Sequence, residues 1–168
     1  MTSLDDFRKM KDDFFVQDGQ SPLTPGQKKV FKGLNYFPPN PKLILEVIVE
    51  EFPDKQRIEM QTTTGDIQLY ERYGKFAFSV DGHSAELTIY HSENGYFLPF
   101  VDSLASRGTY PAGRYLEPES SGNNRFSVDF NLAYNPYCAY NDLWSCPLTP
   151  FENHLKVPIR AGEKLFPH

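Results

Sequence analysis

The sequence predicts an all-β (mainly β) fold: an antiparallel meander closing into a small barrel or sandwich, with one or two short N-terminal α-helices. Three observations carry this. Beyond residue 41 the apolar residues recur with period two rather than 3.6. Tight-turn signals separate eight or nine such runs at a spacing of roughly 8–12 residues, the pattern of a strand meander. The chain also holds 14 Phe, 10 Tyr and 14 Pro in 168 residues, too many rigid aromatics for a disordered chain and too many prolines for a helical bundle.

The N-terminal residues are the exception. Leu4, Phe7, Lys11 and Phe14, with Met10 and Phe15 beside them, follow a three-to-four spacing, and Asp5 and Asp6 suit a helix N-terminus that Ser3 can cap. Asp18-Gly19 ends this helix. Thr24-Pro25-Gly26-Gln27 reads as a capping box with Pro at the first helical position, opening a short helix over 25–32 that stops at Gly33. Residues 35–41 carry three prolines and read as an extended linker.

The strands then follow in order. Leu43, Leu45, Val47 and Val49 share one face of the first. Residues 57–64 form a second and 67–73 a third, which Gly74 breaks. Phe76, Phe78 and Val80 line a fourth, and the hairpin signal Asp81-Gly82 leads to a fifth through Ala85, Leu87 and Ile89. Residues 96–101 and 112–117 are the sixth and seventh. Residues 119–124 read as a polar turn before an eighth strand over 125–131, which places Phe126, Val128 and Phe130 on one face. Residues 155–159 finish as a short strand in which Pro158 demands an edge. The organisation expected is a single domain, 1–168, with a helical extension over 1–36 and a β core over 41–168.

A net charge of −5 excludes the basic face that phosphate binding needs, so no nucleic-acid partner is expected. The longest apolar stretch, 43–49, is far shorter than the roughly 20 residues of a membrane span. With no basic, apolar leader the chain reads as soluble and cytoplasmic, its two Cys as thiols rather than a disulfide. No phosphate-binding glycine loop, Gly-x-Ser-x-Gly or His-Glu-x-x-His occurs, so no cofactor or metal is expected.

The chemistry-bearing residues gather in the last third. It contains Thr109-Tyr110 before Gly113-Arg114, then Asp129-Phe130-Asn131-Leu132-Ala133-Tyr134-Asn135-Pro136-Tyr137-Cys138-Ala139, Cys146-Pro147-Leu148, Pro150-Phe151-Glu152-Asn153 and Ala161-Gly162-Glu163-Lys164. These segments closely resemble a widespread bacterial and archaeal family named only as domain of unknown function 1684. Lys11-Asp12-Asp13-Phe14-Phe15, Ser21-Pro22-Leu23 and Phe31-Lys32-Gly33-Leu34 extend the likeness to nearly the whole chain. The resemblance implies membership and no activity.

The residues must therefore be weighed on their chemistry. Asp129 either anchors backbone N–H groups of the loop after it or contacts a ligand. Arg114 and Arg160 either pair with Asp102, Asp129, Glu152 or Glu163, or converge on an anion. Cys138, Cys146 and His154, at two similar intervals, read as buried thiols, as part of a metal site, or as a nucleophile with its base. Tyr134, Tyr137, Tyr140 and Trp144 either plug one end of the strands or line an apolar pocket with polar tips. The leading expectation is a binding protein for a small polar or anionic ligand, with Arg114, Asp129, Asn131, Tyr134, Asn135, Glu152 and Arg160 as contacts. A hydrolase or transferase using Cys138 or Cys146, with His154, is the alternative. A motif that only stabilises the fold is the third.

Overall fold

The computed structural model describes residues 3–141 and 143–166; the side chain of Ser3 and the terminal His168 lie outside what is described. The fold is mainly β and antiparallel. Helices α1 (Ser3–Gln17) and α2 (Pro25–Val30) come first. The capping box forms as expected, Thr24 Oγ1 accepting from Gln27 N–H and Gln27 Oε1 from Thr24 N–H.

Nine strands follow: β1 (Ile44–Ile48), β2 (Glu50–Glu51), β3 (Arg57–Gln61), β4 (Ile67–Val80), β5 (His83–Ser92), β6 (Gly95–Phe100), β7 (Arg114–Leu116), β8 (Glu119–Gly122) and β9 (Arg125–Asp129). Among the described residues they make two open sheets rather than a closed barrel. A small sheet runs β1-β9-β8, and a large one runs β2-β4-β5-β6-β7 with β3 also on β4. Two stretches of chain link them: one runs from β7 to β8, and the other leaves the small sheet at Ile48 and joins the large one at Glu50, which pairs with Lys75.

That crossing corrects the reading of Gly74. β4 is one continuous strand with a bulge between Arg72 and Gly74, not two strands broken there. A Cβ at Gly74 would lie 2.6 Å from Val49 Cγ1 and 2.7 Å from the Glu50 carbonyl oxygen. The glycine marks where the backbone of β2 lies across β4, a close approach that only a residue without Cβ admits. Three other expectations also change. Residues 119–122 are a strand, β8. Strand β9 ends at Asp129, and 130–132 form a 3-10 turn. Residues 155–159 form no strand: they reach residues 101–103 through single backbone bonds beside a lone bridge at His154, and buried side chains hold the rest, as described below.

The large sheet is covered on both faces. Phe76, Leu87, Ile89, Leu98 and Phe100 meet Phe126, Val128 and Phe130 in the main core; the rings of Tyr96 and Phe126 lie 4.8 Å apart, those of Phe100 and Phe130 5.3 Å. On the opposite face Met60, Tyr90, Phe97 and Tyr115 pack with Cys146, Tyr134, Tyr137 and Trp144 of the irregular segment. Double coverage is why Leu87 to Tyr90 are all buried despite the alternation of a strand.

The helices pack on that same segment. Phe15, Leu23 and Leu34 surround Tyr140, and the Phe15 and Tyr140 rings meet edge to face at 5.1 Å. The inward face of α1 is Leu4, Arg8, Lys11, Asp12 and Phe15. The apolar spacing had favoured Phe7 and Met10, which are 42% and 69% exposed. Polar partners decide the rotation: Asp12 Oδ1 accepts from Leu34 N–H at 3.1 Å and from the Tyr36 hydroxyl at 3.2 Å.

Replacing Gly74 with Val forces β2 off β4. The expected loss is about 1–3 kcal/mol, the usual cost of overpacking, read as a lower urea midpoint at unchanged slope. A midpoint equal to wild type would contradict the close crossing.

Candidate functional site

Most of the polar residues singled out in the sequence hold irregular backbone in place. Arg114, on β7, is only 1% exposed. Its guanidinium donates to the carbonyls of Ile159 (2.9 Å), Ala161 and Glu163 (3.0 Å) and lies 3.6 Å from Asp102. Burial pulls the guanidinium down to about 10, with Asp102 and Glu163 opposing that pull. Asp102 accepts from Thr109 Oγ1 and Ile159 N–H, each at 2.7 Å. In place of the strand expected over 155–159, the C-terminal strap hangs on these two side chains and on single backbone bonds, Leu155 N–H to the Val101 carbonyl at 2.7 Å and Ser103 N–H to the Val157 carbonyl at 3.0 Å.

Asp129 accepts from the N–H and the side-chain amide of Asn131, both at 2.9 Å, and so caps the 3-10 turn. Asn131 in turn holds the Asn40 peptide, accepting its N–H at 2.8 Å and donating to its carbonyl at 3.0 Å. Asn135 donates its N–H to Glu163 Oε1 at 3.0 Å and its amide to the Lys164 carbonyl at 3.1 Å; its buried Oδ1 has no partner. The buried Glu163 carboxylate also accepts from the Tyr140 hydroxyl at 3.0 Å and pairs with Lys11 of α1. At Gly162 φ is +78°, and a Cβ there would sit 2.7 Å from the Ala133 carbonyl oxygen, so only glycine lets the strap lie flat on 130–133.

Of the side-chain ion pairs that the sequence left open for Arg114 and Arg160, only Arg114–Asp102 forms; Asp129, Glu152 and Arg160 take other partners. Arg114 has Asp102 and Asp129 has Asn131. Arg72 grips Glu152 through Nε–Oε2 at 3.1 Å and Nη2–Oε1 at 2.8 Å, and the Tyr90 hydroxyl donates to the same carboxylate. Burial pushes the Glu152 carboxyl up, but the bonds from Arg72 and Tyr90 outweigh it and leave it lowered. Arg160 is exposed, 4.0 Å from Asp81. The two arginines do not converge.

Asn153, beside Glu152, does what a missing stretch of ladder would do. β5 and β6 pair only over Tyr90–Phe97, His91–Tyr96 and Ser92–Gly95. Further on, the Asn153 amide inserts between them, accepting from Thr88 N–H and donating to the Thr88 and Pro99 carbonyls, all at 2.8 Å. Asn153→Ala leaves those three groups buried and unpaired, at about 1–3 kcal/mol each. Asn153→Asp keeps only the acceptor, because a carboxylate has no N–H to donate. Both variants are expected to lower the denaturation midpoint strongly; a loss under about 1 kcal/mol for Asn153→Asp would refute the wedge.

The thiols form a different arrangement. Cys138, in the 3-10 turn Tyr137–Ala139, is half-buried; Cys146 is 6% exposed, and both are free. The Cys138 N–H donates to Cys146 Sγ at 3.4 Å, and the Tyr110 hydroxyl lies 3.6 Å from Cys138 Sγ. The neighbouring Cys146 thiol brings the Cys138 thiol down to about 6 against the upward push of burial. Cys138 and burial in turn push Cys146 up. The pair thus holds a single proton over a wide pH range. His154 is elsewhere: it stacks on Phe151 with ring centres 5.2 Å apart, Nε2 is 3.4 Å from the Thr149 carbonyl, and among the described residues no hydrogen bond joins it to either thiol. Nor is any group of three or more His, Cys, Asp or Glu among those residues placed to hold a metal ion.

Beside the thiols runs a groove of about 540 Å³, walled by Phe7, Lys11, Tyr134, Tyr137, Trp144 and Cys146. Lys11 Nζ sits 5.0 Å from the Tyr134 ring centre, and the Trp144 indole N–H is buried without a partner. Burial and the neighbouring carboxylates keep Tyr134 a neutral phenol. A larger hollow of about 730 Å³ lies over β3–β5, but its walls are strand side chains, and none of the buried unpartnered polar atoms lies in them.

Of the expected ligand contacts, only Tyr134 lines this groove. Lys11 and Phe7 escaped notice as site residues because α1 reaches the groove only through tertiary packing. The signal that pointed here was the crowding of Tyr, Trp and Cys over 134–146. Of its aromatics, Tyr140 alone is the buried plug, while Tyr134, Tyr137 and Trp144 face the groove.

Alkylation of Cys138 by iodoacetamide needs the thiolate. A thiol lowered to about 6 is deprotonated as pH rises through that value, so the rate should climb there and level off, whereas a thiol at the ordinary 9.0 would still be rising. Mass spectrometry of the labelled peptide measures this. A rate that only rises above pH 8 would contradict the thiol pairing.

The model of a family described as a protein of unknown function, DUF1684, matches residues 29–164. No curated protein matches the chain. Five solved chains do, among them the solution NMR structure of an uncharacterized protein of Haloarcula marismortui. It is 35% identical over 96% of this chain and 91% of that one, with a TM-score of 0.71. No helix among the described residues is long and apolar enough to cross a membrane. With the family model covering both cysteines and the clamps from Asn40 to Glu163, the chain belongs to the DUF1684 family.

Proposed function

We propose that this protein binds a small, largely apolar molecule carrying a hydrogen-bond acceptor, in the groove beside Cys146. One observation carries the reading: an aromatic-walled space of about 540 Å³ is lined by Lys11 and by Trp144, whose buried indole N–H has no partner. Its size and lining suit a small-molecule site, where apolar walls supply affinity and a few polar groups fix orientation. The ligand is placed at the segment 129–153, as the sequence suggested, with different contacts: Tyr134 remains, and Phe7, Lys11, Tyr137 and Trp144 join it. Glu163 already balances the charge of Lys11, so a carbonyl serves as well as the anion expected from sequence. On this reading the chain works as one domain, supported by Lys11 near one end meeting Glu163 near the other.

The chain has a single Trp, Trp144, so its fluorescence reports on the groove alone. Titration with prodan, a neutral naphthyl ketone, and with anilinonaphthalene sulfonate, an anion, is expected to quench it saturably. Phe7 is exposed on the groove wall, and Phe7→Ala should weaken prodan binding roughly fivefold to tenfold by removing apolar contact at unchanged melting temperature. No saturable quench by either probe, or equal affinity in Phe7→Ala, would sink the reading. Tighter binding of the sulfonate than of the ketone would restore the anion preference.

A further inference from the structure

The two cysteines serve no role in the clamps that hold the strap, and their placement exceeds what packing requires. Cys146 reaches back across its loop so that its sulfur accepts a hydrogen bond from the backbone N–H of Cys138 at 3.4 Å. The Cys138 side chain starts one bond beyond that N–H. The two cysteines thus lie side by side, which a disulfide between them requires.

Their surroundings are unequal. Cys138 is half-buried and meets the Tyr110 hydroxyl. Cys146 is enclosed by Met60, Tyr90, Phe97 and Tyr115, and its own N–H is held by Thr63 Oγ1 at 3.2 Å. Cys138 is the more exposed of the two, while Cys146 is nearly buried and borders only the groove. That asymmetry is what a thiol–disulfide exchange site needs: an attacking sulfur and a resolving sulfur.

We propose that Cys138 and Cys146 form a redox-active dithiol that exchanges with small-molecule disulfides, Cys138 attacking and Cys146 resolving. In the first step the Cys138 thiolate attacks one sulfur of the disulfide. A bond forms between Cys138 Sγ and that sulfur, the old S–S bond breaks, and the other half leaves as a thiolate and takes a proton. In the second step Cys146, having given its proton to solvent, attacks Cys138 Sγ. The internal disulfide forms, the mixed disulfide breaks, and the second half leaves and is protonated. Two protein thiols are oxidised and one small disulfide is reduced to two thiols. The inference goes beyond the groove's ligand and stands without it.

The test uses the full chain equilibrated with reduced and oxidised glutathione, quenched in acid, with free thiols alkylated and the peptides analysed by mass spectrometry. Wild type is expected to pass from two free thiols to an internal Cys138–Cys146 disulfide as the buffer becomes oxidising, without loss of β-sheet circular dichroism. Cys146→Ser, lacking the resolving sulfur, should stop at a mixed disulfide between Cys138 and glutathione. Cys138→Ser should react at least roughly tenfold more slowly, because a buried thiol is a poor attacker. Wild type that gains only glutathione adducts, or forms the internal disulfide only in urea, would overturn the proposal. So would Cys138→Ser reacting as fast as Cys146→Ser. The wild-type titration decides the matter even where a variant fails to fold.

Discussion

A buried peptide group must find a hydrogen-bond partner, and in this protein a long irregular C-terminal run is buried against a sheet without a ladder to satisfy it. Scattered backbone bonds meet part of the need, and side chains supply much of the rest. Arg114 takes carbonyls of the strap, Asp102 takes Ile159 N–H, Asn131 takes the Asn40 peptide, Asn153 fills the gap between two strands, and Glu163 takes Asn135 N–H. Each is a polar or charged group removed from water, which is tolerable only when fully paired. Losing any one leaves several orphaned groups, so the segment stands or falls as a network. The unusually polar motif of this family is thus the skeleton of a loop.

That skeleton explains where binding and reactivity can reside. Residues committed to backbone have no bonds to spare for a ligand. Around the groove the accounting is looser: the indole N–H of Trp144 is unpaired, the aromatic walls of Tyr134 and Tyr137 are partly open, and two thiols lie side by side. The clamps hold these groups rigidly from behind, through Glu163 and Lys11 on one side and Thr63 on the other. A stiff loop on a sheet is a good platform for a site.

Much of the fold was legible because its signals are local. The Thr24 capping box, the Asp81-Gly82 hairpin and the alternation along β9 depend only on neighbouring residues and came out as expected. The misreadings share one cause. Gly74 looks like a break until β2 crosses it. The strand-like alternation of 155–159 is that of a strap buried by Arg114 and Asp102. The polar face of α1 turns inward because Asp12 and Lys11 have partners at Tyr36 and Glu163. In every case a residue distant in sequence changed the meaning of a local pattern.

The same division holds for the site. Sequence alone determined the strand-rich core, the crowding of aromatics and cysteines over residues 134–146, and the family, because composition, period and motif are properties of the chain itself. Only the tertiary structure decided that Arg114 and Arg160 never meet, that α1 brings Phe7 and Lys11 to the groove wall, and that Cys138 and Cys146 face one another. Hydrogen bonding and burial are relations between residues far apart along the chain, and folding alone sets which of them meet.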